Sequence, residues 1–318
     1  MCVAGAALFH ACATAKPPRP TAGATRPVPG AKLKIRVRVD ERGAGPTTRT
    51  IGLEDYVAGC VDAEMGRLDI DAASAVRMRR VQAMLCRTFA VANVGRHAPD
   101  GYDLCATTHC QLYRRLPAES LTARLAQQAA ADTAGVVIAF DGRPIQALYH
   151  ANCGGRTSPA DAVWGGRPEP YLTSVADPAC EATARWRSAI DRERLRQALR
   201  ADPRTDPGSR LEGVSVTARD DGGRATAIAI AGAQSRTARG EAFRTVVSQS
   251  LGAQVLRSTW FVVRREGNEF VFEGRGSGHG AGLCQAGALR QARSGRSDAQ
   301  ILDYYFPGTH LMTLPESR

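Results

Sequence analysis

The chain has 318 residues, of which 43% are hydrophobic and 6% aromatic, with 42 basic and 31 acidic residues for a net charge of +11. This is enough apolar chain for the core of one large domain or two ordinary ones, and no run approaches the length of a membrane-spanning helix. The positive charge is a mild pull toward polyanions, but the arginines are scattered apart from Arg77, Arg79 and Arg80 and carry no aromatic stacking platform, which argues against nucleic acid as the partner. Only Lys16, Lys32 and Lys34 are lysines, a skew that reads more readily as codon bias than as a binding device.

Residues 1–30 stand apart. Met1 to Cys12 is small and apolar, and Lys16 to Gly30 is rich in Pro, Ala and Thr, the composition of an export leader and a disordered spacer. Phe9-His10-Ala11-Cys12 loosely resembles a lipoprotein cleavage box, so Cys12 is the candidate lipid anchor; no basic segment precedes it, and a misassigned start is an equal account. The expectation is an exported protein, periplasmic or on the envelope surface, with the folded domain over 31–318.

From Lys34 the residues Ile35, Val37 and Val39 alternate as in a strand. Leu53, Tyr56, Val57, Cys60, Val61 and Met65 recur at helical spacing, and a second helix runs from about Ala72 to Val94. Val136–Phe140 and Ile145–Tyr149 flank a turn at Asp141-Gly142. Asp191 to Ala201 reads as a helix. Val214–Ala218 with Thr226–Ala231, and Phe261–Arg264 with Phe270–Glu273, read as hairpins, and helices at Leu283–Arg293 and Ser297–Tyr305 close the chain. Hairpins mixed with separated helices predict an α+β fold around a substrate cleft, with residues 185–263 as a candidate inserted α/β subdomain.

Four places carry chemistry. Glu64 ends the first helix between Ala63 and Met65; desolvation by such neighbours favours the neutral carboxyl, and a neutral carboxyl can protonate a glycosidic oxygen. His97, Cys105, His109 and Cys110 lie within fourteen residues of loop. They are either the two-imidazole, two-thiolate set of a tetrahedral zinc site or a Cys105–Cys110 disulfide with two unexplained histidines, which tilts the reading toward zinc. Tyr149-His150-Ala151-Asn152-Cys153-Gly154-Gly155-Arg156-Thr157 brings polar side chains out of a glycine turn, with Trp164 and Tyr171 soon after. Finally, Gly274 to Gly282 places a glycine at every second residue. In an extended chain this leaves one face bare for another backbone or a flat ligand and presents Arg275, Ser277 and His279 on the other. Nine cysteines are an odd number; Cys60, Cys86 and Cys284 fall on apolar helical faces as packing residues.

The pattern Leu53-Glu54-Asp55-Tyr56-Val57 through Ala63-Glu64-Met65, then Arg87-Thr88-Phe89-Ala90, resembles the opening of the stage II sporulation protein D domain, which also occurs in amidase enhancers. His109-Cys110-Gln111-Leu112-Tyr113 is similar to that family's HCQ-hydrophobic-Tyr signature. Gly154-Gly155-Arg156-Thr157, Val163-Trp164-Gly165 and Pro170-Tyr171-Leu172 resemble its central block. Gly274 to Ala288 and Tyr304-Tyr305-Phe306-Pro307-Gly308 resemble its C-terminal block, the whole spanning about Lys34 to Leu314.

The resemblance implies a lytic transglycosylase that cleaves peptidoglycan glycan strands between N-acetylmuramic acid and N-acetylglucosamine, leaving 1,6-anhydro ends. Glu64 would be the acid and base. A structural zinc would sit on His97, Cys105, His109 and Cys110, with no organic cofactor. Arg87, Gln111, Tyr113, His150, Arg156, Trp164, Tyr171, His279 and Gln285 are the matching positions expected to bind substrate. The alternative is a non-catalytic wall-binding protein that stimulates a cell-wall amidase. A cysteine peptidase built on Cys60, Cys86 or Cys284 is disfavoured, because none opens a helix beside an evident base. The chain departs from the family at Gly66-Arg67-Leu68, where a proline and a tryptophan are usual, at Ser277, where a tryptophan is usual, and at Cys284, where a serine is usual.

Overall fold

The computed structural model describes residues 33–41, 45–180 and 184–315. The leader, the spacer and Cys12 lie outside the described residues. In chain order the elements begin with β1 (Lys34–Glu41) and β2 (Gly45–Gly52), which pair antiparallel with Lys34 opposite Gly52. Then come α1 (Leu53–Met65), α2 (Ala72–Ala92), β3 (Leu104–Cys105), α3 (Leu121–Asp132), β4 (Val136–Phe140) and β5 (Arg143–Pro144). The middle of the chain forms β6 (Tyr149–His150), α4 (Ala160–Trp164), β7 (Arg185–Asp191), α5 (Arg192–Leu199), β8 (Leu211–Arg219), β9 (Ala225–Gly232), β10 (Arg236–Arg239) and α6 (Gly240–Leu251). β11 (Phe261–Glu266), β12 (Glu269–Arg275), β13 (Leu283–Cys284), α7 (Gln285–Arg293), α8 (Asp298–Tyr305) and β14 (His310–Thr313) complete it. The fold is α+β, with small sheets that are mostly antiparallel.

The described residues divide into two compact units, those up to 148 together with 288–315, and those from 149 to 287. In the first unit β3 adds to the β1–β2 hairpin in parallel, Arg38 opposite Cys105, and β14 and β5 flank β4. Its core joins Tyr56, Val57, Cys60 and Val61 of α1 to Val81, Met84, Leu85 and Phe89 of α2 and to Val137 and Ile138 of β4, all essentially without exposure. Local chemistry fixes the helix starts: Asp71 accepts the Ser74 N–H at 2.9 Å before α2, and Ser297 with Gln300 forms a capping box before α8.

Fully buried Arg87 ties three elements of this unit together. It reaches Glu54 of α1 through Nε and Nη2, at 2.9 and 2.5 Å, the Ala130 carbonyl of α3 at 3.0 Å and the Val136 carbonyl of β4 at 3.1 Å.

The second unit stacks β10-β9-β8 and β11-β12-β7 with α5 and α6 around an aromatic core of Trp186, Phe243, Phe261, Phe270 and Phe272. Phe261 and Phe272 meet edge to face, 5.3 Å between centroids. Asp191 caps α5 by accepting from the Glu193 and Arg194 N–H groups.

Two expectations need correction. The strand read at Ile145–Tyr149 is not formed: β4 pairs with β5 at Arg143–Pro144, the Ile145 N–H adds a single bond to the Ile138 carbonyl at 3.0 Å, and Tyr149–His150 pairs instead in parallel with β13. The glycine run is not extended either. Gly276, Gly278, Gly280 and Gly282 take φ values of 79, 97, 89 and 71°, a left-handed path open to glycine, and a Cβ on Gly280 would stand 2.3 Å from Arg224 Nε. The bare main chain is therefore covered by the protein's own groups.

Candidate functional site

The first unit assembles Glu64 and the candidate metal loop into one frame. β3 pins Cys105 beside β1, and Asp103, just before it, accepts from the Arg36 backbone N–H at 2.8 Å and pairs with its guanidinium at 2.9 Å. The following turn brings the four predicted metal ligands together, with all candidate donor atoms within 4.8 Å of one another. His97 Nε2 lies 3.2 Å from Cys110 Sγ, and His109 Nδ1 lies 3.6 Å from Cys105 Sγ and 3.7 Å from Cys110 Sγ.

The other nitrogen of His97 faces the Asp100 carboxylate at 3.7 Å, beyond hydrogen-bond range. The Cys105 thiol is held well below its ordinary value, first by the Cys110 thiol beside it and then, against burial, by His109 and Thr107; burial keeps His97 neutral. Cys110 is pushed the other way, up, by Cys105 and by burial; the fit to zinc rests on the donor set itself, two thiols and two imidazoles gathered within 4.8 Å. The cysteines are free thiols.

Beyond Cys110, the next four residues cross α1 one after another. Gln111 Oε1 accepts from Tyr56 Oη at 3.2 Å, and the Leu112 N–H donates to Glu64 Oε1 at 3.3 Å. Tyr113 stacks on Tyr56, 5.4 Å between centroids and 14° between planes. Arg114 donates to the Asp62 carboxylate at 2.7 Å and to the Asp62 carbonyl at 2.8 Å.

Gly59 permits this crossing. A Cβ there would sit 2.4 Å from the Tyr113 ring and 2.7 Å from the Arg114 carbonyl. Glu64 is left 6% exposed at the end of α1. Tyr113 and Arg114 also line a groove of about 400 Å³ with Val39, Asp40, Arg49 and Arg115. Sequence reading missed Gly59, Asp62 and Arg114; the one signal on offer was a glycine in mid-helix, which costs about 1 kcal/mol against alanine and so asks for a packing reason.

Of the other predicted site residues, Arg87 is committed to the ties described above. The rest lie in the second unit. There Ala281 is bracketed by two buried histidines: its N–H donates to His279 Nδ1 and its carbonyl accepts from His150 Nδ1, each at 3.1 Å. The His279 ring lies 4.9 Å from Trp164 and 5.6 Å from His150. Burial, with Arg224 nearby, pushes His150 down to about 3; burial, with His150 nearby, holds His279 well below its ordinary value. Both are neutral at pH 7. Trp164 and Tyr171 are 8% exposed and Gln285 2%. Arg156 is half-buried and donates to Ser174 Oγ at 3.3 Å.

Residues 42–140, which hold Glu64 and all four metal-loop residues, match the family model described as stage II sporulation protein, SpoIID. That stretch, about a third of the chain, is similar to a SpoIID domain. Residues 179–282 match the model of a domain of unknown function. The stage II sporulation protein D of Bacillus subtilis is 28% identical over 285 residues, covering 85% of this chain and 77% of its own. An uncharacterised protein of Brachyspira hyodysenteriae is 27% identical, covering 82% of this chain and 67% of its own. The amidase enhancer of B. subtilis is 25% identical, covering 73% of this chain but 37% of its own length. No helix among the described residues is long and apolar enough to cross a membrane.

Proposed function

We propose that this chain is a peptidoglycan lytic transglycosylase of the SpoIID kind, with Glu64 as its acid and base. The carrying observation is the position of Glu64: a nearly buried carboxyl at a helix end, gripped by a segment that the metal loop delivers. In the proposed reaction Glu64 gives its proton to the oxygen joining N-acetylmuramic acid to N-acetylglucosamine. The muramic C6 hydroxyl then attacks C1 of the same sugar, the C1–O bond to the leaving sugar breaks, and the Glu64 carboxylate takes the C6 proton. Because the nucleophile belongs to the substrate, no second carboxylate is needed at the separations that ordinary glycosidases use.

The groove lined by Tyr113 does not include Glu64 in its wall, but its Arg49, Arg114 and Arg115 outnumber Asp40 and would suit the muramic carboxylates of a neighbouring stretch of strand. A zinc on His97, Cys105, His109 and Cys110 would supply structure alone, holding Cys110 so that Gln111 to Arg114 stay on α1. Export, to which the leader-like first thirty residues point, would bring the enzyme to this polymer in the periplasm or cell envelope.

The name of the amidase enhancer relative supports a second reading, a non-catalytic stimulator of a cell-wall amidase. Incubating the purified chain with glycan strands and weighing the ends by mass spectrometry separates the two. Anhydro-muramic ends, twenty mass units lighter than hydrolysed and reduced ones (about one water plus two hydrogens), support the enzyme; bound but uncut glycan, with faster release of stem peptides by an added amidase, supports the stimulator.

A further inference from the structure

A second group of metal-binding side chains lies in the second unit, far along the sequence from the first. Cys153 follows β6, Asp177 and Cys180 bracket a 3-10 turn closed by a 2.9 Å bond from the Cys180 N–H to the Asp177 carbonyl, and Cys284 ends β13. The sequence places Cys284 on an apolar helical face as a packing residue. The structure places it instead on the strand just before α7, among other sulfurs. Parallel pairing of β6 with β13, His150 opposite Cys284, and a 3.1 Å bond from the Ala286 N–H to the Ala151 carbonyl bring Cys153 and Cys284 together. All four residues are buried, and their donor atoms lie within 4.8 Å of one another.

The spacings are those of a tetrahedron. Ligands at about 2.3 Å for sulfur and 2.0 Å for oxygen around zinc stand about 3.8 Å apart for a sulfur pair and about 3.5 Å for sulfur and oxygen. Here Cys180 Sγ is 3.7 Å from Cys284 Sγ, and Asp177 Oδ2 is 3.2 Å from Cys180 Sγ and 3.6 Å from Cys153 Sγ.

Two further observations point to thiolates rather than packed thiols. Backbone N–H groups aim at the sulfurs: Cys153 and Gly287 donate to Cys284 Sγ at 3.2 and 3.4 Å, and Gly155 donates to Cys153 Sγ at 3.4 Å. Such bonds accompany metal-bound sulfur and tune its charge. The second is Arg224, only 1% exposed, which donates to the Cys153 carbonyl at 2.8 Å and to the Gly278 carbonyl at 3.3 Å. A buried guanidinium needs nearby negative charge, and three thiolates and a carboxylate around a dication leave a net negative centre beside it.

We propose that Cys153, Asp177, Cys180 and Cys284 form a second, closed zinc site that fixes the core of the 149–287 unit. With four protein ligands it has no open position, so its role is structural. It is independent of the reading of Glu64, since none of its ligands belongs to the unit that holds the acid.

The test is metal content of the full chain, purified under reducing conditions from zinc-supplemented cells. The expected result is two zinc ions per chain, falling to one in Cys180→Ser and also to one in Cys110→Ser. X-ray absorption at the zinc edge of the unmodified chain covers the case in which a variant fails to fold. Two filled sites give five sulfurs for every three nitrogen or oxygen ligands, and the first site alone gives equal numbers. One zinc per chain that disappears entirely in Cys110→Ser, or an equal sulfur and nitrogen count, overturns the proposal. So does an intact mass showing Cys180 and Cys284 joined as a disulfide.

Discussion

Gly59 shows how much of this site rests on single residues. It lies within α1 opposite the Tyr113 ring, where a methyl group has no room. Gly59→Ala should therefore lift the Gln111–Arg114 segment and destabilise the chain by about 1–3 kcal/mol, despite the better helix propensity of alanine. Urea unfolding of the variant checks this, and equal or greater stability would contradict it.

His279 makes a second residue-scale prediction. Its folded pKa is depressed by burial and by its neighbours His150, Arg244 and Arg224. The stability this contributes is fully present above the unfolded value near 6.5 and is lost as the pH falls below it. Stability should decline from pH 7 to pH 5, and His279→Asn should make that decline shallower by about one proton, or about 1.4 kcal/mol per pH unit. Identical slopes in paired unfolding titrations would show that His279 is not the group.

At the scale of elements, Arg87 and the metal loop do comparable work. Arg87→Ala strands the Glu54 carboxylate, 30% exposed, and two buried carbonyls, so a loss of about 3–5 kcal/mol is expected by calorimetry or urea titration. A loss under 1 kcal/mol would show that water replaces the guanidinium without strain. If zinc fills the loop as proposed, chelation acts there: zinc at a hundredfold excess over its dissociation constant would add about 2.7 kcal/mol to the folded state. Removing it should lower the melting temperature and loosen Tyr113, read as a change in near-ultraviolet dichroism.

Much at this scale was legible from spacing. The α1 pattern matched both ends of the helix and the runs Phe261–Arg264 and Phe270–Glu273 matched a hairpin, whereas the turn at Asp141-Gly142 was right but its second strand is Arg143–Pro144. The helix α3 was not legible, because its buried stripe is alanine (Ala123, Ala126, Ala129 and Ala130) and contrasts little with its surroundings. The glycine run misled for a different reason. Alternation implies a bare strand face only if the backbone is extended, and no side-chain pattern reports the sign of φ.

At the scale of the whole molecule, ligands close in sequence were visible and ligands far apart were not. His97 to Cys110 span one loop, so their chemistry is readable from spacing alone. Cys153, Asp177, Cys180 and Cys284 meet only because β6 pairs with β13 and a short turn folds over them, contacts that no local motif encodes. The Glu64 frame was half legible: the carboxyl was evident, and its partners Leu112 and Arg114 with Asp62 were not, since a backbone N–H and a salt bridge leave no mark on periodicity.

The most direct test of the account compares the unmodified chain with Glu64→Gln on purified glycan strands, scoring anhydro-muramic ends by mass spectrometry and strand binding by sedimentation. The account predicts anhydro ends from the unmodified chain, none from the variant, and unchanged binding by both. Anhydro ends produced by Glu64→Gln would contradict it.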